Sequence, residues 1–101
     1  MKLSDDPYVR ELLPEFVDSW ISDIKEQFPS LIETRNNEDL YRMAHTLKGS
    51  CFQFGLDEVA NLGIELMGYA KEERWQQAAG MDQKILRILF EVKKILESIK
   101  K

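Results

Sequence analysis

Apolar residues return every three or four positions along nearly the whole chain, and no segment alternates with period two over a useful length. That pattern predicts helices and no strands. Leu13, Phe16, Val17, Trp20, Ile21, Ile24, Phe28, Leu31 and Ile32 trace one stripe, which gives a long amphipathic helix over about residues 14–34. Pro14 is expected to open it. Upstream, Ser4-Asp5-Asp6-Pro7 reads as an acidic cap with Pro in the first turn, starting a separate short helix over about residues 5–13. Pro29 is expected to kink the long helix or end it early, because Pro removes a backbone donor and clashes with the preceding turn.

Asn36 caps a second helix over about residues 37–54, with Glu38 and Asp39 in its first turn. Its inward stripe is Leu40, Met43, Ala44, Leu47, Cys51 and Phe54, and Gly55 supplies a left-handed stop. A third helix, over about 56–72, turns Val59, Leu62, Gly63, Leu66 and Ala70 inward. A fourth, over about 75–100, carries Met81, Ile85, Leu86, Ile88, Leu89, Val92, Ile95, Leu96 and Ile99. Gly80 within it costs about 1 kcal/mol relative to Ala, so a break is allowed there. Short connections between long helices favour antiparallel neighbours. The predicted fold is all-α: an antiparallel up-down-up-down four-helix bundle with a short extra N-terminal helix across one end.

Composition narrows the function more than the fold. A chain of 101 residues makes one domain, able to bury roughly two-thirds of its unfolded surface. The net charge of −4 argues against nucleic acid, since phosphate-backbone binding needs clustered excess Lys and Arg. Lys93-Lys94 and Lys100-Lys101 are more simply the basic end of a helix, which complements its dipole. One Cys and one His exclude an internal disulfide and argue against a zinc site. No signal-peptide pattern and no apolar run of membrane-spanning length is present, so a cytoplasmic protein with no membrane association is expected. Nothing in the sequence demands a dimer, and a monomer is expected.

The single histidine stands in Ala44-His45-Thr46-Leu47-Lys48-Gly49-Ser50. At about 100° per residue, Leu40, Ala44, Leu47, Cys51 and Phe54 fall in one narrow arc, and His45 and Gly49 lie well outside it. They share that outer side with Tyr41, Arg42 and Phe52, while Lys48 sits at the edge of the arc, three residues from His45. The bland reading is a solvated surface histidine. Gly49 weighs against it, because a helix-interior glycine pointing away from the core needs a reason for its cost of about 1 kcal/mol. Clearance for a partner's backbone beside His45 is such a reason. Tyr41 and Phe52, flanking the polar centre, make a small docking patch.

His45-x-Leu47-Lys48-Gly49-Ser50-Cys51-x-x-Phe54-Gly55 resembles the signature of histidine-containing phosphotransfer (HPt) domains, the intermediates of multistep phosphorelays. The motif is specific, and the resemblance extends to chain length and helix order. It implies that the Nε2 of His45 takes a phosphoryl group from an aspartyl phosphate on one receiver domain and passes it to the aspartate of another. By the same resemblance, Lys48 stabilises charge on the phosphoryl oxygens and Gly49 lets the receiver close over the site. Tyr41, Arg42, Phe52 and Gln53 would meet the partner. Response-regulator receiver domains and a hybrid histidine kinase are the implied partners. No cofactor would be bound by this chain, with Mg²⁺ held by the receiver. An ordinary imidazole is largely neutral near neutral pH, which leaves a ring nitrogen free to attack. Phosphoryl transfer depends mostly on alignment and charge, so one well-placed imidazole suffices. No glycine-rich nucleotide loop or kinase motif is present, so a phosphocarrier is expected and not an enzyme that uses ATP.

One position departs from the family pattern. Many members carry Gln or Glu on the following helix to hydrogen-bond the imidazole, and the corresponding residue is Met67. Met cannot fix a tautomer by a conventional hydrogen bond. Glu65 or a backbone group would then substitute, or the ring is less restrained. Lys71, one turn further, is either a second positive charge at the pocket or a solvated surface residue. Ser50 and Cys51 read as small packing residues. Two other functions compete with this one: a helical adaptor of the same fold that binds a receiver or kinase without carrying phosphate, and a metal-dependent bundle enzyme. The second would need inward carboxylates and Glu-x-x-His pairs, which the apolar faces lack.

Overall fold

The computed structural model describes residues 6–99, which form helices and no strand. Helix α1 spans Pro7–Glu33, α2 Asn37–Gln53, α3 Asp57–Lys71, α4 Trp75–Ala78 and α5 Met81–Ile99. Asp6 caps α1, its carboxylate accepting from the Tyr8 backbone N–H at 2.9 Å, with Pro7 in the first turn. Ser4 and Asp5, read as part of that start, and Lys100 lie outside the described residues.

The expected short N-terminal helix is not a separate element, because α1 runs unbroken through both Pro14 and Pro29. The reason is register. Leu13 and Val17, on either side of Pro14, are both fully buried, and Trp20, Ile21, Ile24 and Phe28 continue the same stripe. Burying a large aliphatic side chain is worth about 1.5–3 kcal/mol, and a helix-interior Pro costs about 3 kcal/mol. A stripe of six buried residues therefore outweighs both prolines. Pro29 itself is exposed, on the outer face of α1. At the other end of the chain, Ala79 and Gly80 separate α4 from α5, at the break that Gly80 allowed.

Three helices end in the same hydrogen-bonded motif, in which a left-handed residue redirects the chain. At the end of α2, Gly55 (φ 78°) donates to the Phe52 carbonyl at 3.1 Å and Leu56 to the Cys51 carbonyl at 2.7 Å. Arg35 (φ 51°) does the same after α1 and Glu73 (φ 55°) after α3, although neither is glycine.

After Gly55 the chain doubles back, and α3 lies antiparallel along α2. A Cβ at Gly63 would stand 3.0 Å from the Ala44 carbonyl oxygen and 3.1 Å from the Lys48 backbone nitrogen. Glycine here lets the two backbones approach closely, which a side chain would prevent. Helix α5 runs antiparallel to α1 along the shared apolar core, with Asp18–Lys93 at 3.0 Å and Lys25 over the Phe90 ring at 5.1 Å spanning the seam at its surface. Phe16 of α1 stacks on Phe54 at the α2 terminus, centroids 4.0 Å apart. Between these helices the core is wholly apolar, with no buried polar residue among those described.

Candidate functional site

Helix α2 is held at both ends and along one side. At its start, Asn36 and Asp39 bond reciprocally: the Asp39 N–H donates to Asn36 Oδ1 at 3.2 Å, and Asn36 Nδ2 donates to Asp39 Oδ2 at 2.9 Å. Such a reciprocal cap satisfies an orphan backbone donor and fixes the first turn. Its inner face buries Leu40, Ala44, Leu47 and Cys51 completely. Everything on the opposite side stands on a stiff support.

His45 is on that opposite side and is exposed. Gly49, one turn on, is also exposed, and a Cβ added there would meet nothing within 4 Å. The space beside the imidazole is therefore open, and the contrast with Gly63 is direct. One glycine is needed by the chain's own packing. The other is not.

His45 lines an open concavity of about 620 Å³ together with Asn37, Glu38, Tyr41, Arg42 and Lys71. Lys71 reaches it from the far end of α3, because the antiparallel hairpin brings that end beside the start of α2. Lys48 is half-buried and lies outside the concavity, so of the two lysines it is Lys71 that shares this space with His45. Neither lysine is held in an ion pair among the described residues. Arg42 is engaged with Asp39 at 3.3 Å, an exposed pair of little energetic weight.

Met67 is half-buried and packs against the core. Glu65, the suggested substitute, is committed elsewhere: its Oε1 accepts from the Tyr69 hydroxyl at 2.8 Å, and that bond raises the phenol above its ordinary pKa. Among the described residues no hydrogen bond reaches the His45 ring. Its aromatic neighbour is Tyr41, with ring centroids 6.4 Å apart and planes inclined by 26°.

Tyr41 and Phe52 are exposed at 37% and 45%, and Gln53 is exposed beside them. Sequence reasoning missed Ile64, which is 46% exposed and falls at the level of the His45 turn in the hairpin register. The signal was present: Ile64 is an apolar residue off the buried stripe of α3, directly after Gly63. Asn37 and Glu38 were also missed, since their place in the site depends on how α3 returns. Ser50 turns its hydroxyl back to the Thr46 carbonyl at 2.7 Å. Cys51 is fully buried, and burial pushes its thiol up to about 12. A thiol so placed is unreactive and serves packing.

A bundle that exposes one histidine on a fixed helix, with open backbone one turn away, has the form of a phosphotransfer module. The model of the Hpt domain matches residues 10–100, and the chain belongs to that family. Among curated proteins it is similar to the phosphorelay intermediate protein rdeA of Dictyostelium discoideum, 28% identical over 95 residues. The matched region is 91% of this chain and 37% of that protein, so the chain spans little more than a third of its relative's length. No solved structure matches. Membership of the Hpt family gives the chain a phosphotransfer role. No helix among the described residues is long and apolar enough to cross a membrane.

Proposed function

We propose that this chain is a phosphorelay intermediate in which His45 accepts a phosphoryl group from a receiver-domain aspartyl phosphate and passes it to a second receiver aspartate. The observation that carries this reading is the open approach to the ring: His45 is exposed, and the adjoining turn at Gly49 has nothing within 4 Å. A neutral imidazole attacks the phosphorus through Nε2. The N–P bond forms as the bond from phosphorus to the carboxyl oxygen breaks, and the aspartate leaves as carboxylate. The proton on Nδ1 stays in place, giving an N-phosphoimidazolium, and the reverse sequence delivers the group onward.

The residues around the ring have the roles such a step requires. Lys71 in the concavity, with Lys48 one turn along α2, supplies positive charge toward the phosphoryl oxygens. Gly49 admits the receiver's backbone. Tyr41, Phe52, Gln53 and Arg42 form the contact surface on α2, and Ile64 extends it onto α3. The aspartate and its Mg²⁺ belong to the receiver, and a hybrid histidine kinase is the source of phosphate upstream. The chain acts as a monomer and as a carrier, and provides alignment and no activated donor.

Incubation with a Mg²⁺-loaded, phosphorylated receiver domain should give an acid-labile, base-stable phosphoprotein. His45→Gln should abolish the label while leaving helical content and thermal midpoint nearly unchanged, because the side chain is exposed. Equal labelling of the variant would place the phosphate on another residue. Binding of the receiver without labelling of the wild type would favour a non-phosphorylated adaptor.

A further inference from the structure

The His45 ring needs something to hold its orientation, and none of the expected groups does so. Met67 offers no conventional hydrogen bond and faces the core, Glu65 is taken by Tyr69, and no described residue hydrogen-bonds the imidazole. Among the described residues one aromatic ring pairs with the imidazole. Tyr41 lies one turn earlier on α2, where i and i+4 side chains share a face. Its ring stands 6.4 Å from the imidazole at 26°, within the range of offset aromatic pairs, and both line the same concavity.

We infer that Tyr41 is the positioning residue for His45, setting the orientation of the imidazole by ring packing in place of a hydrogen bond from α3. A flat aromatic face beside the imidazole removes the ring orientations that would collide with it and favours those that lie alongside. The favoured ones keep the imidazole in the open concavity that both residues line. Tyr41 is itself steadied by its place on a capped helix, and its hydroxyl makes no hydrogen bond among the described residues. The phenyl ring is thus the active part of the side chain and the hydroxyl is dispensable. This inference rests on the reading of His45 as phosphoacceptor for its consequence in transfer, but the ring packing stands apart from that reading.

Aromatic pairs of this kind bias an equilibrium by about two- to tenfold. The test compares Tyr41→Leu and Tyr41→Phe with the wild type, using two readouts. The first is the carbon–proton spectrum of the His45 ring in the unphosphorylated protein, with through-space contacts between the two rings. The second is the rate of transfer from a phosphorylated receiver, measured against receiver concentration so that limiting rate and half-saturation separate.

Tyr41→Leu should erase the inter-ring contacts, shift the His45 ring resonances and lower the limiting rate by about two- to tenfold. Tyr41→Phe should restore all three. A Leu variant whose ring resonances do not move would overturn the inference. So would one slowed only through a higher half-saturating receiver concentration, since that marks a docking residue alone. A Phe variant as impaired as Leu would assign the effect to the hydroxyl and equally remove ring packing as its cause. If wild-type His45 takes no phosphate, the phosphorelay reading fails, and the ring spectra still decide what Tyr41 does to the imidazole.

Discussion

Replacing Gly49 by Ala should make the protein more stable and a worse phosphocarrier. The site is exposed and inside a helix, where Gly is about 1 kcal/mol less favourable than Ala. The added methyl meets nothing within 4 Å, so no clash offsets the gain. For a domain of this size about 1 kcal/mol raises the thermal midpoint by roughly 4–8 °C. Gly68→Ala is the matching control, exposed in α3 and equally free of neighbours, and should gain a similar amount. Gly63→Ala should behave in the opposite way. Its methyl would press on the Ala44 carbonyl and the Lys48 nitrogen at 3.0 and 3.1 Å, both backbone atoms that move only with their helix. Overpacking of that kind costs about 1–3 kcal/mol, against about 1 kcal/mol of helix propensity regained. Calorimetry on the three variants gives the stability ordering. Transfer from a phosphorylated receiver, measured on Gly49→Ala and the bulkier Gly49→Gln, gives the functional half, with Gln expected to block transfer and Ala to slow it. Two results would refute the reasoning. If Gly49→Ala gains nothing while Gly68→Ala does, the space at Gly49 is not open. If Gly49→Gln transfers like the wild type, no partner passes over that turn.

Three further outcomes follow from the same structure. Arg35 and Glu73 hold left-handed positions that cost an L-residue about 1–2 kcal/mol, so Arg35→Gly and Glu73→Gly should each raise the free energy of unfolding by roughly 0.5–1 kcal/mol after the entropy of the added glycine; a drop in stability in urea melts would contradict that strain. Cys51, raised by burial from 9.0 to about 12, should resist alkylation by iodoacetamide in the folded protein at pH 8 and react promptly in urea. The same shift means the folded state keeps a proton the unfolded state releases, so this contribution to stability is intact below pH 9.0 and is lost as pH rises toward about 12.

The helical periodicity was strong enough to locate every long helix, and the caps at Asn36 and Gly55 were legible because each uses a residue suited to its geometry. Prolines misled in a specific way. Pro14 and Pro29 carry a local preference for a break, whereas the buried stripe from Leu13 to Phe28 is a tertiary effect summed over six side chains. Local signals describe one residue's cost and cannot register what the whole face gains. The turns at Arg35 and Glu73 are the converse case, since a motif that ordinarily announces itself with glycine is built there without one. In the site, His45, Gly49, Tyr41 and Phe52 were legible because all lie on one helix, and helical phase alone separates them from the core. Lys71, Ile64, Asn37 and Glu38 join His45 only through the fold of α3 back along α2. Their place follows from hairpin register, which spacing within one helix does not encode.

The two faces of α2 suit the transfer reaction proposed above. On its inner side Gly63 draws α3 against the backbone at Ala44 and Lys48, the residues on either side of His45 in the same helical turns. The imidazole therefore rides on a segment fixed from behind at its own level, where a small displacement would matter most. On the outer side the chain leaves its surface bare at Gly49, at a cost of about 1 kcal/mol that no internal contact returns. Alignment of the reacting atoms can supply a large part of a transfer barrier when the geometry is held, and the loose phosphoryl transition state asks for little more from this partner. On the function proposed above, rigidity behind the ring and vacancy in front of it are two requirements of one task, met by two glycines in opposite environments. Substitution at either should impair transfer, but only the one at Gly63 should do so by disturbing the protein itself.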